Sequence, residues 1–424
     1  MKASDELWIF NHYAATPDQP AGTRHFDLAR GLSTQGFRVT IFAADHMHNT
    51  ATRHRVKGRA LFERQIVDRV RFVWVRTVPY RGNSWMRLAN MVSYAAVVLL
   101  AQRRFRRPGV VIGSTVHPFA AVSAYLAARL RGARFFLEIR DLWPQTLIDM
   151  GALRKESLSA RLLWWLEGAL VRRAELVITL LPGVSEYLEE RRLPTDRILY
   201  LPNGVWIEES APEERHPAID VIDRLRAEGR FVFGYLGAHG RANGLHIVVA
   251  AAAELERTTD SAIQVVLIGD GPEKAGLSSA ARIQHLRNVT FMDPVPKTVV
   301  PAVIRHLDAG ILHLTDVDVF RYGISPNKLF DYMSNGRPVL FACRSGNDPV
   351  REAGAGMSVN PDDPSALAAA MRALANTPAG ELDRMGGAGR RYVEAHHDLH
   401  RLATRLGEVV RSRPAPVPLS ADHL

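Results

Sequence analysis

At 424 residues the chain is too long for one ordinary domain and suits two of about 200 residues each. Hydrophobic residues make up 47% and charged residues 23%, which excludes a disordered, collagen-like or membrane-spanning chain and leaves two globular cores. A single cysteine, Cys343, excludes a disulfide framework and a cysteine zinc cluster and makes a reducing, cytoplasmic compartment the default. The net charge of +10 favours polyanionic partners: nucleic acid, anionic lipid headgroups or phosphorylated substrates. Almost all of that charge is arginine, since lysine occurs only at positions 2, 57, 155, 274, 297 and 328, so a lysine inside a motif carries more information than usual. The segment 1–10 lacks a basic region followed by an apolar stretch and a small-residue cleavage site, so no secretory signal is expected.

Taken in chain order, apolar runs at 7–10, 39–43, 70–75, 110–113, 135–139, 176–179 and 198–201 read as strands, with helical patterns such as 22–35 and 119–131 between them. Near-continuous apolar strands separated by helices predict a parallel sheet covered on both faces, and right-handed crossovers make it doubly wound. The longest apolar stretch, 88–101, is interrupted by Asn90 and Ser93 and falls short of the ~20 residues that span a bilayer. It is followed by Arg103, Arg104, Arg106 and Arg107, and two readings fit it: an interfacial membrane-docking helix, or a buried helix with a solvated basic end. The Trp164–Trp165 pair within 161–173 poses the same choice.

The pattern breaks at Pro202-Asn203-Gly204, and 208–217, acidic and short of large apolar residues, reads as a linker. It then restarts: strand 231–237, helix 244–256, and strands 264–269, 289–291, 310–314, 338–341 and 357–359. The expected architecture is α/β, two doubly wound Rossmann-like domains over 1–205 and 206–390. Residues 391–424 would hold a helix, its pattern running about 386–410, that crosses back to the first domain, and then a frayed tail from 414. Ligands of open parallel sheets bind beyond the carboxyl ends of the strands, and the motifs fall at those edges, which would face one another across a cleft.

Three loops stand out. Pro17-Asp18-Gln19-Pro20-Ala21-Gly22-Thr23-Arg24 precedes a helix, where Gly22 would let backbone approach a ligand, although any strand-to-helix loop needs a turn. Ile268-Gly269-Asp270-Gly271-Pro272-Glu273 follows an apolar strand and looks like a phosphate-facing loop, without the full Gly-x-Gly-x-x-Gly spacing; a plain turn is the alternative. The strongest stretch is Tyr322-Gly323-Ile324-Ser325-Pro326-Asn327-Lys328-Leu329-Phe330-Asp331-Tyr332-Met333, followed by Asn335-Gly336-Arg337-Pro338-Val339. Ser-Pro would start a helix whose unpaired N–H groups, from Asn327 on, point at an anion. Lys328 and Asp331, three residues apart, would address one ligand from one face, a lysine for phosphate and a carboxylate for a ribose diol.

That last pattern resembles the second half of the signature of family 4 retaining glycosyltransferases of the GT-B fold. Phe136-Leu137-Glu138-Ile139-Arg140-Asp141-Leu142-Trp143-Pro144 resembles the subgroup that builds O-antigen and capsule repeats, including N-acetyl-L-fucosamine transferases. Gly234-Tyr235-Leu236-Gly237 and the 269–273 loop sit where the family's donor motifs sit. The resemblance implies a nucleotide-sugar donor held by Gly22, Gly237, Arg241, Gly269, Gly271, Asn327, Lys328 and Asp331, with His117 and Lys328 as catalytic residues. Glu138, Arg140 and Asp141 follow a strand as either solvated loop residues or an acceptor site, with Arg140 near a diphosphate.

There are departures from the family. Its paired glutamates map onto Gly323 and Asp331, and the Arg and Lys that hold the donor pyrophosphate map to about Ala238 and Asn243, so that Lys328, Arg241 or backbone amides would take that role. The expected partners are a UDP-sugar, with a GDP-sugar as alternative, a polyprenyl-diphosphate-linked saccharide and an anionic membrane surface. No cofactor and no obligatory metal are expected. Retention would proceed by same-face displacement, with the leaving phosphate assisting the acceptor hydroxyl. Two rivals are a sugar-nucleotide epimerase or hydrolase of the same architecture, and a catalytically idle nucleotide-sugar-binding subunit. Nucleic-acid binding is not expected, because the basic residues are dispersed without an aromatic-interleaved cluster.

Overall fold

The computed structural model describes residues 5–19, 22–45, 55–80, 85–207, 215–258 and 262–412. The chain divides into two compact units, Met1–Asn203 with Leu399–Leu424, and Gly204–Asp398.

The first unit is built on an eight-stranded sheet: β1 (Glu6–Phe10), β2 (Arg38–Ala44), β3 (Phe62–Val67), β4 (Val70–Val75), β5 (Val110–Ser114), β6 (Arg134–Ile139), β7 (Leu176–Thr179) and β8 (Ile198–Tyr200). Their spatial order is β3-β4-β2-β1-β5-β6-β7-β8, parallel except at β3–β4. Every residue of β1 is buried, and Trp8, Phe10 and Phe42 pack ring against ring between the layers. Strand β3 was not expected from the sequence: it lies on the sheet edge with Arg64, Gln65 and Ile66 exposed, and Glu63-Arg64-Gln65 leaves it no apolar run to show. Its hairpin closes through Asp68 and Arg69, both at positive φ, the backbone a two-residue hairpin loop requires.

The expected helix at 386–410 is in fact two. Ala379–His396 belongs to the second unit and Leu399–Arg411 to the first. His397 ends the former helix: its ring stacks on Phe330 at 3.7 Å and its carbonyl accepts from Val205 N–H at 2.9 Å. Leu399–Arg411 then lies against the helix Arg24–Thr34, where Gly407 leaves room for the Gln35 side chain.

The second unit carries β9 (Phe231–Leu236), β10 (Ile263–Ile268), β11 (Val289–Met292), β12 (Ala309–His313), β13 (Val339–Ala342) and β14 (Gly356–Val359), all parallel, in the order β11-β10-β9-β12-β13-β14. An apolar cluster lies on each face, one including Phe330 and Tyr332, the other Tyr235 and Leu245. Gly310 is required on β12 because the Tyr332 ring packs where its Cβ would stand, 2.5 Å away. Of the expected linker, 208–214 lies outside the described residues, and Pro217 is already the first residue of the helix Pro217–Ala227, capped by the His216 ring. The tail from 414 also lies outside them.

Candidate active site

Each sheet reverses its winding once, at β1/β5 in the first unit and at β9/β12 in the second. The carboxyl ends of strands at such reversals are where open sheets hold ligands. The residues of interest gather at both.

In the second unit the loops after β9 and β10 are in backbone contact. A Cβ on Gly269 would lie 1.9 Å from the Gly237 carbonyl oxygen, and one on Gly271 would lie 2.5 Å from that of His239. Their φ angles of +151° and +156° are equally hard on other residues. The approach is locked by His239 N–H donating to Asp270 O at 2.8 Å and Glu273 N–H donating to His239 O at 3.0 Å. His239 itself is fully buried, neither ring nitrogen has a hydrogen-bond partner, and burial holds its pKa down to about 4. Nothing local in the sequence singles it out.

Lys328 is the second residue of the helix Asn327–Ser334. Its Nζ donates to Tyr235 Oη at 2.7 Å and Asn243 Oδ1 at 2.9 Å, and stands 4.2 Å from the Tyr235 ring centre. The absent side chain of Gly237 makes the space, since a Cβ there would be 3.1 Å from Nζ. No carboxylate pairs with Lys328 among the described residues, and burial pulls its pKa down to about 7. Tyr235 and Asn243 were not foreseen as its partners. Asn243, which stands near the family's lysine position, is fixed in turn by donating to Ala238 O at 3.0 Å, while His313 Nδ1 meets its carbonyl at the same distance. Arg241 is exposed on that loop, Asn327 is exposed at the helix start, and Asp331 lies one turn beyond Lys328. Where the family has its first glutamate, Gly323 takes a φ of +100°, and Asn347 clamps the next residue by accepting from Ile324 N–H and donating to its carbonyl.

In the first unit His117 caps the helix Pro118–Arg131: its Nδ1 accepts from Ala120 N–H at 3.2 Å, which leaves the ring proton on Nε2. That Nε2–H has no hydrogen-bond partner, and burial, then Arg87, lowers the pKa to about 3. The ring is therefore a neutral donor. Around it stand His12 at 4.7 Å, Tyr13 at 6.0 Å and Tyr94 at 6.1 Å, none of them foreseen.

Glu138 departs from its expected acceptor role in placement. It is buried, with Arg24 Nε at 2.9 Å from one oxygen and His25 Nε2 at 2.5 Å from the other. Asn11 accepts from Tyr13 N–H and so turns its amide to donate to His25 Nδ1, which keeps His25 neutral with its proton toward Glu138. Burial opposes ionisation of Glu138, but His25 and Arg24 outweigh it and hold the carboxyl well below its usual range. Arg24 also donates to the carbonyls of Leu201 and Pro202, tying the end of the last strand to this ion pair. Arg140 and the exposed Asp141 follow β6, and Gly22 is exposed ahead of its helix.

The expectation of no obligatory metal overlooked Asp316-Val317-Asp318, an Asp-x-Asp sequence just past β12. Both carboxylates are engaged by arginines, Asp316 by Arg344 and Asp318 by Arg321 at 2.6 Å. Among the described residues no group of three metal-ligating side chains converges.

Two doubly wound parallel sheets in tandem define the GT-B class of fold. The sucrose-phosphate synthase of Thermosynechococcus elongatus superposes with a TM-score of 0.72 over 96% of this chain and 98% of its own, at 16% identity. WaaG, a glycosyltransferase involved in lipopolysaccharide biosynthesis, does so with 0.67 over 96% and 100%, at 14%; at such identities the likeness is one of fold. The Anabaena HepE protein, solved with UDP and glucose, matches with 0.67 over 95% and 98%, at 15%. Residues 21–204 match the glycosyl transferase 4-like domain, and residues 230–377 match the glycosyl transferases group 1 family. Glycosyltransferase WbjE of Pseudomonas aeruginosa is 22% identical over 69% of this chain and 72% of its own. WcaI of Escherichia coli K12, by name a colanic acid biosynthesis glycosyl transferase, is 26% identical over 55% of this chain and 58% of its own, little more than half its length. The chain is a glycosyltransferase made of a 4-like domain followed by a group 1 domain.

Proposed function

We propose that the chain transfers a sugar from a UDP-sugar, an N-acetylated deoxyhexosamine in the closest reading, to a polyprenyl-diphosphate-linked saccharide with retention. The product would be a repeat of a bacterial surface polysaccharide, assembled at the inner face of the plasma membrane. The observation that carries the donor half is Lys328: a lysine with no carboxylate partner among the described residues, held by Tyr235 and Asn243 at the β9/β12 reversal beside the two glycine-bearing loops after β9 and β10. Such a lysine fits an anion supplied from outside, and UDP in the HepE structure is an anion of that kind. Lys328 and the N–H groups opening its helix would neutralise charge developing on the leaving diphosphate. The bond from the anomeric carbon to the diphosphate oxygen breaks while the acceptor oxygen bonds to the same face. The acceptor proton passes to the leaving phosphate oxygen. His117, as a neutral Nε2–H donor, would orient a sugar hydroxyl.

The test is mass-detected transfer from a panel of UDP- and GDP-sugars onto polyprenyl-diphosphate-linked acceptors, with and without EDTA, beside Lys328→Ala and Asp331→Ala. Transfer that survives EDTA and is lost in both variants supports a metal-independent transferase using this grip. Nucleotide binding without transfer to any acceptor favours an idle binding subunit, and no nucleotide binding refutes the site.

A further inference from the structure

Three neighbouring helices of the first unit, Trp85–Ala101, Pro118–Arg131 and Leu158–Arg173, carry large apolar side chains on their outer surfaces. On Trp85–Ala101 the exposed positions are Trp85, Leu88, Val92, Ala96 and Leu100, one stripe at helical spacing without a polar residue in it. Trp85 is 78% exposed, Leu158 81% and Trp165 66%, so neither the 88–101 segment nor the tryptophan pair is buried as a whole. Scattered exposed leucines need no explanation, but side chains of this size contiguous on adjacent helices do.

Charge says what covers them. The three helices contain arginines at 87, 129, 131, 161, 172 and 173 and a single acidic residue, Glu167, which is half-buried and paired with Arg191. Exposed Arg103, Arg104, Arg106 and Arg107 follow the first helix, and Arg154 and Lys155 precede the third, with Glu156 the one exposed acidic residue beside them. Tryptophan with leucine, flanked by many arginines and few acidic residues, is the composition of a surface that lies in a lipid headgroup layer. No described helix is long and apolar enough to cross a membrane, so the surface would rest on the bilayer.

We infer that this three-helix face docks the first unit on an anionic lipid leaflet, its tryptophans and leucines in the acyl boundary and its arginines on the headgroups. The inference rests on the lipid-linked acceptor proposed above and names the surface that would deliver it. The first test is co-sedimentation of the full chain with vesicles of phosphatidylcholine alone or mixed with phosphatidylglycerol. Binding should need phosphatidylglycerol and weaken with salt. It should fall about tenfold or more in Trp85→Glu/Leu88→Glu and in Leu162→Glu/Trp165→Glu. Ile283→Glu, an equally exposed isoleucine in the second unit, should bind as the wild type does. Nucleotide binding and transfer to a short-chain, water-soluble acceptor, unchanged in every variant, would show intact folds and separate this inference from the proposed activity. Equal binding by all variants, or no vesicle binding by the wild type, overturns it. So does a wild-type dimer that the helix variants dissociate, since the face would then be covered by a second copy.

Discussion

The lowered pKa of Lys328 makes donor binding a proton-linked event. In the unliganded protein burial leaves it about half charged at neutral pH, with a pKa of about 7. A diphosphate beside Nζ favours the charged form and returns the pKa toward its ordinary value of about 10.4. A nucleotide sugar has no phosphate proton of its own to lose near neutrality, so the lysine dominates the linkage. The sign follows directly: the complex binds more protons than the two partners apart, so affinity is full below pH 7 and declines above it. Between pH 6 and pH 8 the dissociation constant should rise about tenfold, with uptake of about half a proton at pH 7. Calorimetry with a UDP-sugar in buffers of different ionisation enthalpy measures both quantities. Lys328→Ala should bind about 10- to 100-fold more weakly at pH 6, through loss of a charge-assisted contact, and show no slope between pH 6 and 8. A flat wild-type profile, or the same slope in Lys328→Ala, refutes the placement of the diphosphate at this lysine.

Gly269→Ala forces a Cβ onto the Gly237 carbonyl and should displace the β10 loop, costing at least about tenfold in nucleotide affinity; Gly276→Ala, open to solvent in the following helix, should leave affinity unchanged. Glu138→Gln strands the Arg24 cation in the interior, and calorimetric melting should show the first unit destabilised by about 3–5 kcal/mol. An unchanged melt with lost transfer would make Glu138 an acceptor-binding residue after all. His117, held near 3 when folded and near 6.5 when unfolded, takes up its proton only in the unfolded chain. Its burial therefore costs nothing above pH 6.5 and about 2 kcal/mol by pH 5. His117→Asn, which keeps a capping oxygen, should flatten the fall in melting temperature over that range.

What the sequence reveals follows the reach of each interaction. The apolar strands and the helix that begins at Asn327 are read from neighbours a few residues apart, and the Lys328–Asp331 spacing is local in the same way. The partners of Lys328 lie 93 and 85 positions away, and the ring cluster at His117 joins residues 12, 13 and 94 to it; sheet order brings these together, and no local pattern encodes it. Glu138 looked like a loop carboxylate because its cation is 114 positions upstream. The Trp85–Ala101 helix shows a different limit. Its few polar residues, Arg87, Asn90 and Ser93, mark no solvent face (Asn90 is buried), so its sequence fits burial and lipid contact equally well. Only the placement of Tyr94 and Val98 inward and of Leu88 and Val92 outward separates the two. The arginines bear on the same proposal: they show no aromatic-interleaved cluster of the kind a nucleic-acid groove carries, and exposed Arg103, Arg104, Arg106 and Arg107 directly follow this helix. Exposed positive charge beside an apolar stripe would suit the flat anionic partner proposed above, which reads total charge and apolar area without requiring any motif.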